Sequence, residues 1–263
     1  MCGLGLSLDG WGMGKGEWEK GRMGIKRYTF WAHYGHMGKL KSVAKRLPIV
    51  KNAYRSYANR NFPGSEAYWE SRYAAGGTSG SGSYGRLAHF KAEILNDFVK
   101  KNDIKTVIEF GCGDGNQLGL AEYPSFVGLD VSRSALHICI DKFAADKSKS
   151  FFLYEWDAFL DNAGLFASDV ALSLDVIYHL IEDEVYEAYM RHVFGAGKRF
   201  VIVYSSNQNA AAITHQRPRR FTDFVDANLK EWKLKEKIDN RYPYDPANAE
   251  ETSAADFFIY ERK

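Results

Sequence analysis

The 263-residue sequence predicts an α/β fold: a doubly wound seven-stranded sheet, five strands parallel plus an antiparallel closing pair, preceded by a basic helical N-terminal extension. Three observations predict it. From Lys105 onward, short apolar runs alternate with helix-length segments. The first of these runs ends in a glycine-rich turn and the second in a carboxylate. Positive charge is gathered at the front. Residues 1–60 hold twelve Lys/Arg against Asp9, Glu17 and Glu19, a net of +9, while residues 61–263 hold 23 against 30, a net of −7.

Composition narrows the class further. Apolar residues make up 45% and charged residues 26%, the balance of a folded chain and not of a disordered or fibrous one. The length suits one sizeable domain, residues 61–263, behind an extension of residues 1–60. Cys2, Cys112 and Cys139 are too few and too scattered to frame a secreted disulfide fold or a zinc site. A reducing cytoplasm therefore fits, and no metal is expected. No run approaches the roughly 18 consecutive apolar residues that span a bilayer, and the front of the chain is broken by Gly, Asp and Lys.

Taken in order, residues 1–24 are rich in Gly with interspersed Trp, Met and Lys and show no periodicity, so poor order is expected there. Met13, Met23 and Met37 each offer an alternative start. In residues 36–59, Leu40, Val43, Ala44 and Leu47, then Val50, Ala53, Tyr54 and Tyr57, recur at three and four among lysines and arginines. That is a basic amphipathic helix broken near Pro48, either packed by its apolar stripe or set against an anionic lipid surface. Next come Tyr68-Trp-Glu-Ser-Arg-Tyr73 and a run of small residues, 76–85, which either links domains or lies against a ligand. Leu87, Phe90, Ile94, Leu95 and Phe98 trace a helix with cations, Lys100 and Lys101, in its last turn. Strands are predicted at 106–110, 126–130, 150–154, 169–174 and 199–204, with helices notably at 132–145 and 183–194. Two alternating strands, 231–237 and 256–261, close the sheet across a polar loop that contains Pro243 and Pro246.

The chemistry is concentrated after the first strand, in Glu109-Phe-Gly-Cys-Gly-Asp-Gly115. Glycines at alternate positions let the backbone turn sharply and approach a ligand closely, at the strand edge where open α/β sheets bind ligands. A dinucleotide fingerprint reads G-x-G-x-x-G with no preceding acid. Here the spacing is G-x-G-x-G, and Glu109 stands two residues before the first glycine. A carboxylate beside the turn repels a pyrophosphate and suits a cation such as the ammonium and sulfonium of S-adenosylmethionine. Asp130 ends the second strand fifteen residues after Gly115, where an acid accepts both ribose hydroxyls.

On these motifs the chain resembles the class I S-adenosylmethionine-dependent methyltransferases, with their Rossmann-like sheet, from about Tyr68 to Lys263. The resemblance implies that Glu109, Gly111, Cys112, Gly113 and Gly115 hold the amino acid end of the cofactor. It further implies that Asp130, with Val131, holds the ribose, that Asp157 and Ala158 meet the adenine, and that Asp175 borders the methionine moiety. The 68–73 segment is similar to the lead-in that folds over the cofactor in thiopurine-type and related small-molecule methyltransferases, with Tyr73 taken as an acceptor contact. The run from Tyr68 to Phe98 also resembles bacterial methyltransferases that accompany polysaccharide and glycolipid assembly.

Methyl transfer from a sulfonium requires positioning and water exclusion more than a nucleophile or a metal. His179, after the fourth strand, is the first candidate for a base toward a hydroxyl acceptor, or else packs over the cofactor; His215 is the second. Tyr178 is placed in the acceptor pocket. Arg217, Arg219 and Arg220 can clamp an anionic group or form a solvated face with Asp223 and Asp226; at least one is expected to contact the substrate, with Arg217 and Arg220 the candidates. Cys112 is read as a small residue suited to a tight turn. The sequence thus points to O-methylation of a small-molecule or glycan acceptor, with peripheral association at an anionic membrane through the basic arm. Alternatives are N- or carboxyl-methylation of protein or nucleic acid, and a non-catalytic adaptor at a membrane surface. Nucleic acid is disfavoured because the place after the fourth strand reads Asp-Val-Ile-Tyr, unlike the Asn/Asp-Pro-Pro-Tyr-type motif of nucleic-acid amine methyltransferases.

Overall fold

The computed structural model describes residues 62–263; the predicted basic helix at 36–59 lies outside them. Helix α1 (Ser65–Ala74) and helix α2 (Gly85–Lys101) lead into strand β1 (Val107–Phe110). There follow β2 (Phe126–Asp130), α3 (Arg133–Lys142), β3 (Lys149–Leu153), β4 (Ser168–Leu174), α4 (Asp183–Ala196) and β5 (Gly197–Ser205). Helix α5 (Phe221–Asn228) and strands β6 (Trp232–Ile238) and β7 (Asp256–Arg262) complete the order.

The seven strands form one sheet in the order β3-β2-β1-β4-β5-β7-β6. The first five pair in parallel, and β7 runs antiparallel to both β5 and β6. This is the predicted five plus a closing pair, with β7 slotted inside β6. Alternate residues of each strand feed two cores, as a sheet covered on both faces requires. Val107, Leu172 and Ile202 pack with Phe90, Leu95 and Phe98 of α2 and Leu136 of α3. Ile108, Ala171 and Val203 pack with Met190 and Val193 of α4 and Phe221 and Val225 of α5. The order reverses between β1 and β4, so their C-terminal ends diverge and leave a crevice.

Local signals explain the boundaries. Helix α3 is shorter than predicted: Ser132 caps it by accepting the Ala135 amide at 3.0 Å, and it stops at Lys142 before a turn held by Asp146, which accepts from the Ser148 amide. Helix α5 lies where Asp223 and Asp226 suggested a helical face, and buries Phe221 and Val225 one turn apart.

Candidate functional site

A cleft of about 590 Å³ opens at the C-terminal ends of β1, β2 and β4. Its walls include Glu109, Gly111, Cys112 and Gly113 from β1 and its turn, Asp130 and Val131 from β2, and Asp175 and His179 after β4. Gly113 has φ +57°, and a Cβ built there would lie 2.4 Å from Ser79 Oγ and 2.9 Å from the Tyr73 hydroxyl. A side chain is excluded because another segment already occupies the space. At Gly111 the obstacle is Val176, 2.5 Å from the same hypothetical atom. Gly115 packs on Phe143 and Cys139 and does not line the cleft.

The acids at the strand tips are buried. Asp130 accepts the Gly113 amide at 2.8 Å and the Ser132 amide at 2.9 Å, so one oxygen braces the glycine turn and both retain lone pairs for a ligand. Burial pushes its carboxyl up to about 6, against the pull of those two hydrogen bonds. Glu109 is pushed up to about 8 by burial, opposed by the Lys91 cation and assisted by Asp130 and Asp175. In the free protein at neutral pH, Glu109 is therefore mostly protonated. Lys91 is fully buried and pairs with Asp175 Oδ2 at 2.7 Å, and the Tyr178 hydroxyl donates to Asp175 Oδ1 at 2.8 Å. Gln117 donates to the Ala88 carbonyl at 3.1 Å, which leaves its Oε1 buried and without a partner in the cleft wall. A wall of carboxyls with an orphaned amide oxygen suits a ligand that brings hydrogen-bond donors and positive charge.

A roof covers this wall. The Glu70 carboxylate of α1 accepts from Ser132 Oγ at 2.7 Å, the Ser134 amide at 3.1 Å and Ser134 Oγ at 2.7 Å, across the N-terminus of α3. These hydrogen bonds hold it below the usual carboxylate range. Asp114 of the glycine turn accepts the Ser79 amide at 2.9 Å and the Tyr84 hydroxyl at 2.8 Å. Of the two roles predicted for the small-residue run, it takes the second and lies against the site.

His179 stands at the opposite wall. Its Nδ1 donates to the His215 carbonyl at 2.9 Å, so the lone pair resides on Nε2. The ring meets Trp69 edge-on at 4.9 Å and stacks on His215 at 5.4 Å, and His215 stacks on Tyr68 at 4.6 Å. Burial pushes the imidazole down to about 4, so it is neutral at physiological pH.

No protein-family model and no curated protein matches the chain. Solved structures do. The methyltransferase domain of bacterial CtHen1-C superposes with a TM-score of 0.51 and 21% identity, over 65% of this chain and 96% of that one. Magnesium protoporphyrin IX methyltransferase (ChlM) from Synechocystis PCC 6803, with bound SAM, gives 0.51 and 16%, over 81% and 97%. N-methyltransferase NodS from Bradyrhizobium japonicum WM9, in complex with S-adenosyl-L-homocysteine, gives 0.51 and 13%, over 67% and 86%. The fold is that of the S-adenosylmethionine-dependent methyltransferases.

Within this methyltransferase fold, the predicted site residues divide. Glu109, Gly111, Cys112, Gly113, Asp130, Val131, Asp175, Tyr73 and His179 share one cleft. Asp157 and Ala158 are exposed and outside it; the wall after β3 is made by Tyr154 and Trp156. Tyr178 faces a smaller cavity. His215 sits behind His179 and touches the cleft only through the carbonyl that orients that ring. Arg217 donates to the Ile181 carbonyl at 2.8 Å and pairs with Asp183 at 3.0 Å; Arg219 donates to the Leu180 carbonyl and pairs with Asp183 at 2.9 Å. Arg220 pairs with Asp223 at 3.1 Å. None of the three lines the cleft where a substrate contact was expected: Asp183 holds Arg217 and Arg219, and only Arg220 has a partner that the sequence had suggested. Sequence reasoning passed over Glu70, Lys91, Gln117 and Trp156. Lys91 left a signal: it interrupts the apolar stripe one turn from both Leu87 and Leu95.

Proposed function

We propose that this chain is an S-adenosylmethionine-dependent methyltransferase that acts on oxygen in a small-molecule or glycan acceptor. One observation carries the reading. Glu109 and Asp130, at the tips of adjacent parallel strands, line a single cleft with the glycine turn, and a neutral histidine stands in the same cleft.

When bound, S-adenosylmethionine supplies a methyl group already activated by its sulfonium. Glu109 and the orphaned Gln117 Oε1 suit the ammonium, Asp130 the ribose hydroxyls, and Val131 with Trp156 the adenine face. The roof of α1 and residues 76–85 excludes water, which strengthens each of these contacts. His179 has Nδ1 committed to a carbonyl and Nε2 free to take a hydroxyl proton. A base held near 4 suffices, because the alcohol proton becomes strongly acidic only as the O–C bond forms.

Calorimetry tests the cofactor: S-adenosylmethionine and S-adenosylhomocysteine bind, NAD does not, and Asp130→Ala abolishes binding while the protein stays folded. Binding of NAD with no response to S-adenosylmethionine overturns the assignment. The basic segment at 36–59 extends the reading to a cytoplasmic membrane face. Flotation of the full chain on anionic vesicles, lost at high salt and on neutral vesicles, is the expected result; equal binding to both vesicles removes it.

A further inference from the structure

A second cavity, of about 220 Å³, shares Asp175 with the cleft. Five separate segments line it: Ser81 in the small-residue run, Tyr178 after β4, Ser206 and Gln208 after β5, Gln216 on the following turn, and Tyr244 in the loop between β6 and β7. Among the described residues its lining contains no lysine, arginine or histidine. Ser206 is buried and Gln208 and Gln216 are exposed, and among the described residues their side chains make no hydrogen bond within the chain. Tyr244 is 58% exposed and supplies an aromatic face.

We infer that this cavity is the acceptor subsite for a neutral polyhydroxylated ring, a hexopyranoside unit that turns one hydroxyl toward Asp175 and the cofactor cleft. The inference rests on the methyltransferase reading and adds the substrate class to it. Three features decide the class. A phosphate or carboxylate needs a cation to pair with, yet the described residues of the lining offer none, Arg217 and Arg219 are held by Asp183, and Lys91 is held by Asp175. A planar apolar acceptor seated here strips water from the buried Ser206 and from two exposed glutamine amides without replacing those hydrogen bonds. Sugar hydroxyls are donors and acceptors at once, as are serine hydroxyls and glutamine amides, and the tyrosine face covers the apolar side of the ring.

The test uses the full chain, with and without saturating S-adenosylhomocysteine, and ligand-observed saturation-transfer NMR. The probes are methyl glucopyranoside and methyl N-acetylglucosaminide as neutral rings, glucuronic acid and glucose phosphate as anionic rings, and catechol as a planar acceptor. The neutral rings are expected to bind best. Gln208→Ala combined with Gln216→Ala weakens them about tenfold, as loss of two neutral hydrogen bonds implies. Tyr244→Ala weakens them independently, and both variants keep the calorimetric affinity for S-adenosylhomocysteine. Preference for the anionic rings or catechol, or unchanged binding in the variants, overturns the inference. If S-adenosylhomocysteine binds and no glycoside does, this inference alone falls; if S-adenosylhomocysteine fails to bind, the methyltransferase reading falls.

Discussion

Glu109 is mostly protonated in the free protein because burial holds it near 8, while an ammonium beside it favours the carboxylate. Cofactor binding at neutral pH is therefore expected to release close to one proton. Calorimetry in buffers of different ionisation enthalpy reads this directly, and a heat independent of buffer contradicts it. Glu109→Gln should abolish the release and weaken S-adenosylmethionine by about 1.5–3 kcal/mol, the worth of a hydrogen bond to a charged group. For His179 the neutral form is the active one, so kcat is expected to stay level at neutral pH and to fall only as acid protonates the ring near 4. His179→Ala lowers kcat by about 10²–10⁴-fold with cofactor affinity retained. His215→Ala keeps the carbonyl that orients the ring and has much the smaller effect; equal losses in both contradict the assignment of the base.

At the scale of elements, the roof and the glycine turn form one closure. Gly113→Ala places a methyl 2.4 Å from Ser79 Oγ in a left-handed backbone position. The backbone strain alone is about 1–2 kcal/mol, which a sheet of seven strands tolerates, while the roof can no longer seat. Calorimetry is expected to show S-adenosylhomocysteine weakened at least about tenfold, in a protein whose circular dichroism is unchanged. Unaltered affinity means the roof plays no part in binding. The strands were legible to within two residues because each apolar run stops at an acid, a glycine or a polar turn. The roof was less so: Glu70 reaches Ser132 and Ser134 across more than sixty residues, and no local pattern encodes such a contact. The arginines after β5 show the converse. Their spacing allows a clamp, but Asp183, more than thirty residues away in sequence, holds two of them.

For the whole molecule, placing two acids and a neutral histidine in one buried cleft makes stability depend on pH. Glu109, near 8 against an ordinary 4.5, and Asp130, near 6 against 3.8, hold protons in the folded chain that the unfolded chain has already released. Their contribution is complete in acid and is lost as pH rises, through about 6 for Asp130 and about 8 for Glu109. His179, near 4 against 6.5, works in the other direction: the unfolded chain takes up the proton first, so stability falls as pH drops from 6.5 toward 4. From about pH 4.5 upward the two acids outweigh or just cancel His179, so these three groups give the free protein a Tm that declines from mildly acid pH toward pH 8, along an alkaline limb that levels only near 6. A cationic cofactor favours the carboxylates and relieves the alkaline limb, so the Tm gain from saturating S-adenosylmethionine should grow between about pH 6 and pH 8. Thermal unfolding at constant ionic strength measures both effects, and Glu109→Gln should flatten the alkaline limb. If that limb keeps its slope in Glu109→Gln and in Asp130→Asn, the protons lie elsewhere and the two strand-tip acids do not govern the cleft.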